Sequence, residues 1–139
     1  NLGLIALTKG DQAKAQQLFG SASGVAELSE ALGVLYLEQG EWAKAANSFG
    51  SVKSNNAALA QILTKDYSKA SQTLNAVPNP DATTSYLKAI VAARTNDANG
   101  VVSNLKQAIA KDSSLKNEAA IDLEFAKYAT NSDFAALVK

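Results

Sequence analysis

Two carboxylate pairs, Glu27/Glu30 and Asp122/Glu124, have a spacing from which acid–base or metal chemistry could be built. Neither pattern supplies a third ligand, and such a pair is ordinarily a solvated helix face. The chain contains no cysteine and no histidine. That removes thiol nucleophiles, histidine general bases and every Cys- or His-based zinc site at once. No glycine-rich phosphate loop follows a strand, because no convincing strand is read. The expectation is a chain that is not an enzyme and holds no cofactor and no metal.

Tyr86 and Arg94 are the individual side chains that stand out. They lie eight residues apart, roughly two helical turns, so both can face one side of a helix. Tyrosine with arginine is a favoured combination at binding hot spots. A structural role competes with that one: Arg94 near a helix C-terminus complements the macrodipole, and Tyr86 can pack between hairpins. Trp42, beside a turn, reads as partly buried in its own hairpin. Thirteen basic and thirteen acidic residues cancel and are scattered along the chain. Nucleic-acid binding driven by counterion release needs a dense basic face, so nucleic acid is not an expected partner. No apolar run approaches the roughly 20 residues that cross a bilayer, so no transmembrane segment is expected.

The elements that position these residues repeat. Leu2–Ser21 returns as Leu32–Ser51, thirty residues later, with ten of twenty positions identical. A unit recurring at a fixed period stacks on its neighbours to bury an apolar face it cannot bury alone. In the first unit Leu2, Ile5 and Ala6 lie at helical spacing, Gly10 breaks the pattern, and Asp11 caps a helix carrying Ala15, Leu18 and Phe19. The second repeats the plan with Leu28, Leu32, Leu35 and Tyr36, then Gln39-Gly40-Glu41, then Trp42, Ala45, Ala46 and Phe49. In the third, Asn55 and Asn56 are the expected cap, Ala57–Leu63 the helix, and Lys65-Asp66-Tyr67 stands in place of the glycine-centred turn.

Val77-Pro78-Asn79-Pro80-Asp81 is the clear break, with Pro80 expected in the first turn of the next helix and Asn79 as its cap. A fourth hairpin follows as TSYLKAIVAAR, Thr95-Asn96-Asp97 and VVSNLKQAIAKD. A fifth begins near Ser114 as LKNEAAIDLEFAKYA and ends in a short helix over Ser132–Leu137. The units run approximately over 1–22, 23–53, 54–77, 78–113 and 114–139. Together they form one expected repeat domain over 1–139. Because Asn1-Leu2-Gly3 already lies inside a helical pattern and no initiator Met precedes it, the chain is expected to be a fragment of a longer protein.

This pattern resembles the tetratricopeptide repeat. Leu32-Gly33, Tyr36, Gly40-Glu41, Ala45 and Phe49 match the motif in the second unit. Leu2-Gly3, Gly10-Asp11, Ala15, Phe19 and Ala22 match in the first, and Ala89, Asp97, Leu105, Ala108 and Asp112 in the fourth. Small residues such as Gly33 and Ala45 let the two helices of a hairpin approach closely, while Phe19 and Phe49 fill the space between hairpins. The departures are units shorter than the family's 34 residues, no closing proline, and a truncated third unit.

The resemblance implies an all-α fold, a right-handed α/α superhelix (solenoid) of about four to five antiparallel hairpins. It also implies a scaffold whose first helices line a groove for a protein or peptide. Carried over by position, the partner-binding candidates are Glu27, Glu30, Val34, Leu37, Leu59, Ile62, Tyr86, Ile90 and Arg94, with Leu4 and Leu87 beside them. The same apolar residues could instead be core, packing across neighbouring hairpins. A clamp for a terminal carboxylate, as in some relatives, is not reproduced, because Leu4, Glu30 and Val34 stand where its basic and amide groups would be. YLKAIVAAR, NLKQAIAKD and DLEFAKY also look like repeat regions that accompany outer-membrane-protein-A-like domains in bacterial envelope proteins. That resemblance implies a periplasmic or envelope setting, and with it the alternative function of a structural spacer between domains. Homo-oligomerisation through uncapped terminal hairpins is a further expectation.

Overall fold

A computed structural model describes residues 25–139, with side chains from Leu28 onward. The hairpin read over 1–22, with Gly3, Leu4, Asp11 and Phe19, and the side chain of Glu27 lie outside the described residues. Every described element is helical: α1 (Val25–Glu38), α2 (Trp42–Phe49), α3 (Asn55–Leu63), α4 (Tyr67–Asn75), α5 (Ala82–Arg94), α6 (Ala98–Lys111), α7 (Leu115–Ile121), a 3-10 segment (Leu123–Tyr128) and α8 (Ser132–Val138). Among these, no helix is long and apolar enough to cross a membrane. The chain divides into two compact units at Pro78/Asn79, inside the two-proline break.

In the unit that ends at Pro78, α1 pairs with α2 and α3 with α4, and α3 packs against both α1 and α2. Position sets composition here. The central helix α3 is buried continuously from Ala57 to Ile62, and its three alanines, Ala57, Ala58 and Ala60, let neighbours approach on several sides. The outer helix α2 buries only Ala45 and Phe49, one turn apart on a single stripe. The ring of Phe49 lies directly on Gly33 of α1, so it fills the space within its own hairpin.

Three hairpin turns share one geometry although their residues differ. Gly40, Lys65 and Asn96 adopt φ of 78°, 66° and 63°. Their N–H groups donate to the carbonyls of Leu37, Ile62 and Ala93 at 3.1, 2.9 and 3.3 Å. The N–H of the following residue, Glu41, Asp66 or Asp97, reaches back to Tyr36, Gln61 or Ala92 at 2.8 Å in each case. These bonds satisfy the last carbonyls of the first helix, and the acid then stands at the N-cap of the second. The third unit therefore keeps the repeat's turn without its glycine. A β-carbon in the left-handed region costs about 1 kcal/mol or more, so Lys65→Gly is expected to stabilise the chain by about 0.5–1 kcal/mol. A rise in the denaturation midpoint at constant m-value checks this; a fall would mean that the Lys65 side chain contributes more than the turn strain costs.

The helix starts differ from those read in the sequence. Ser54, not Asn55 or Asn56, caps α3, its hydroxyl accepting from the Ala57 N–H at 3.1 Å. Asp81, not Asn79, caps α5: Thr84 N–H donates to the Asp81 carboxylate and Asp81 N–H to the Thr84 hydroxyl, both at 3.0 Å. This reciprocal box satisfies two backbone donors and outweighs the fit of Pro80 to a first turn, leaving Asn79 at φ 54° outside the helix.

In the unit over 79–139, α5 and α6 form the main hairpin, α7 and α8 pack against α6 and each other, and the 3-10 segment lies on α5. The helical pattern read continuously through LKNEAAIDLEFAKYA is interrupted at Asp122, whose backbone is extended at φ −73°, ψ 124°. Its carboxylate accepts the Glu124 N–H at 2.9 Å, a local bond that competes with helix continuation.

Candidate partner-binding face

The interruption places Asp122 and the 3-10 segment that follows it, Leu123–Tyr128, along one side of α5. It is held there by its side chains. Tyr86, fully buried, donates its hydroxyl to Asp122 Oδ2 at 2.6 Å, so the carboxylate that breaks the helix also receives a phenol. Arg94 grips Glu124 with two parallel bonds, Nε to Oε1 at 2.9 Å and Nη2 to Oε2 at 2.6 Å. The two side chains are only 26% and 15% exposed, which screens the pair less than a surface contact. Arg94 is the only arginine in the sequence, and its planar fork suits a carboxylate as lysine would not.

Between these polar anchors Phe125 is buried, its ring edge-on to Tyr86 at 5.6 Å and tilted against Phe134 of α8 at 6.0 Å. Tyr128 donates its hydroxyl to the Ala93 carbonyl at 3.2 Å, and Lys127 donates to the Asn96 side chain in the turn. Segment and helix run side by side. From Tyr86 to Arg94 the helical rise is about 12 Å, and from Leu123 to Tyr128 the 3-10 rise is about 10 Å.

Tyr86 and Arg94 thus come together on one side of α5, as their spacing suggests, and both are engaged by the chain's own Asp122–Tyr128. Core and groove were both open for the apolar candidates; Val34, Leu37, Leu59, Ile62, Leu87 and Ile90 are all buried and belong to the core. Glu30 is half-buried. Asp122 and Glu124 do not form a chemical pair. Each is turned onto its own partner on α5, and among the described residues no three acids, histidines or cysteines gather as a metal site. Phe125, Lys127 and Tyr128 were not singled out in the sequence. The aromatic spacing at Phe125 and Tyr128, one turn apart and next to Asp122, is the signal that was there to find.

No family model, curated protein or solved structure matches this chain. The function has to be argued from the face itself. Within it the Tyr86 hydroxyl is pushed far above the usual tyrosine range. Burial is the largest cause, followed by the hydrogen bond to Asp122 and the negative charges of Asp122, Glu118 and Glu124. The folded state therefore holds this proton more tightly than the unfolded chain does. Its stabilising effect is complete below about pH 10, the unfolded value, and declines as pH rises beyond it. Above that pH the decline is expected at about 1.4 kcal/mol per pH unit for this one proton. The Tyr86→Phe chain lacks the proton, so comparing the two chains' stabilities from pH 9 to 11.5 isolates it from the lysines and other tyrosines. Parallel curves would mean that Tyr86 ionises as freely folded as unfolded.

Proposed function

We propose that this chain is a non-catalytic protein–protein interaction scaffold of the tetratricopeptide type, whose hairpins stack as a right-handed superhelix and whose first helices take a peptide or protein segment. The observation that carries it is the grip of α5, the first helix of its hairpin, on the seven residues Asp122–Tyr128, an extended residue and a 3-10 turn, through a hydroxyl, a guanidinium and an aromatic contact. A helix that holds Asp122–Tyr128 in this way has the chemistry to hold a segment presented by another chain. The recurrence of one turn geometry at Gly40, Lys65 and Asn96 supports the repeat character on which stacking depends.

The alternative, a structural spacer between domains of a bacterial envelope protein, draws on the burial of the apolar first-helix residues, which leaves α5 occupied and α1 and α3 with few exposed contacts. Selection of random peptides against the full chain, followed by amide-exchange footprinting of the selected complexes, separates the two. The scaffold predicts binders whose footprints fall on the first helices α1, α3 or α5. Failure to select any binder, or footprints confined to α2, α4 and α6, would remove it and favour the spacer.

A further inference from the structure

We infer that the α5 face is a receptor for an acidic–aromatic segment of a partner protein, with the pattern Asp-x-Glu-Phe-x-x-Tyr, and that Asp122–Tyr128 is a built-in competitor for it. This rests on the scaffold function proposed above and names the ligand class of one of its faces.

The contacts that hold the segment are carried by side chains and do not depend on its being part of the same chain. A carboxylate meets the Tyr86 hydroxyl, a second meets the Arg94 fork, and the Tyr128 hydroxyl meets the Ala93 carbonyl. Any chain presenting the same groups at the same spacing makes the same bonds. The segment's backbone bonds, meanwhile, are local. Phe125 N–H donates to the Asp122 carbonyl at 3.0 Å, Ala129 N–H to Ala126 at 3.2 Å and Asn131 N–H to Tyr128 at 2.9 Å. Release from α5 leaves these bonds in place, so the segment can come away without exposing newly broken backbone partners.

The docking is also incomplete. Ile121 and Leu123, on either side of the first anchor, are 79% and 88% exposed, so two large apolar side chains stay in water while their neighbours are fixed. A segment with better-matched flanks can therefore bind more favourably than the resident one. It has to, because a segment joined to its receptor at both ends acts at an effective concentration on the order of millimolar. A second copy of this chain would present the same Asp122–Tyr128 with the same unmatched flanks, Ile121 and Leu123, so its segment fits the face no better than the resident one. The occupant is accordingly a different protein, and charge complementarity with Arg94 selects an acidic segment.

The test uses a fluorescein-labelled peptide of the sequence Ile121–Ala129, a scrambled control and the full chain. In the Asp122→Ala, Glu124→Ala variant the resident segment loses both charged anchors and Phe125 stays. The peptide is expected to bind this variant at least about ten-fold more tightly than wild type by fluorescence anisotropy, the scrambled peptide to bind neither, and Arg94→Ala added to the variant to abolish the gain. Equal affinity for wild type and variant would overturn the competitor role. Binding that survives Arg94→Ala or scrambling would overturn the ligand class.

If the variant loses helicity, wild type alone decides: about 1 mM peptide is expected to speed amide exchange over 122–129, and unchanged exchange refutes the proposal. A wild-type dimer in sedimentation that Glu124→Ala dissolves would give the face to a second copy and overturn the partner assignment. Peptide failure alongside selected first-helix binders removes only this ligand class. Failure of both removes the scaffold function as well.

Discussion

Phe125→Ala is expected to destabilise the protein by about 3–5 kcal/mol, the range for removing a buried phenylalanine ring. The ring is 1% exposed and lies between Tyr86 of α5 and Phe134 of α8, so it joins three separate pieces of the 79–139 unit. Its loss removes the apolar contact that Tyr86 and Phe134 each make with it and leaves a cavity between α5 and α8. The polar anchors should suffer with it. Without the ring to exclude water, the Arg94–Glu124 pair becomes a more screened contact and loses part of its worth. Urea denaturation measures the effect, with Leu123→Ala as the control. That residue is 88% exposed and should change stability by no more than about 0.5 kcal/mol. Amide exchange should rise from Asp122 through Phe134 in Phe125→Ala and stay unchanged in the control. A cost below about 1 kcal/mol would mean that the 3-10 segment is not packed on α5 as described.

How much of this was legible in the sequence depends on whether the deciding interaction is local. Hairpins and turns were readable because their determinants lie within a few residues: Leu32-Gly33, Tyr36 and Gly40 already spell out a helix and its stop. The turn at Lys65 was readable from position, although lysine is a poor choice for its backbone conformation. Helix starts moved to Ser54 and Asp81 because a cap is decided by which side chain closes the bond, and residue type alone does not rank Ser54 above Asn55. The break at Asp122 was hidden for a different reason. Half of what fixes that residue is Tyr86, 36 positions away; the local half, the Asp122 carboxylate on the Glu124 N–H, is a bond that an aspartate within a helical pattern does not by itself announce. The spacing of Tyr86 and Arg94 identified an adhesive pair on one face, yet spacing carries no information on whether the adhering segment is foreign or the chain's own. Periodicity was equally silent on Val34, Leu59 and Ile90, since a buried stripe and a groove-lining stripe have the same period.

Gly33→Leu is expected to cost about 3 kcal/mol or more, because it evicts Phe49. A β-carbon at Gly33 would already stand 2.6 Å from Cε1, Cε2 and Cζ of that ring, which is itself almost wholly buried. Glycine within a helix costs about 1 kcal/mol relative to alanine, so α1 carries a propensity penalty that the close approach of Phe49 offsets. Gly33→Ala sets these terms against each other: about 1 kcal/mol of propensity is recovered, and about 1–3 kcal/mol of overpacking is incurred. A small net loss results. For leucine the propensity gain is similar, but the added volume cannot be absorbed by a shift of a few tenths of an ångström, and losing the ring from the core costs as much as truncating it. The decisive measurement is a double-mutant cycle. Phe49→Leu withdraws the ring atoms that a β-carbon at Gly33 would meet, so Gly33→Ala should be less harmful, or even stabilising, in that background. The two changes are then non-additive by about 1 kcal/mol or more. Additive behaviour would show that Gly33 and Phe49 are not in contact, and the close packing of α1 on α2 would be wrong. The repeat keeps the pair together in sequence: Gly3 and Phe19 are separated by the same sixteen positions as Gly33 and Phe49. A glycine held in a helix only to admit a ring is expected to persist only where the ring does.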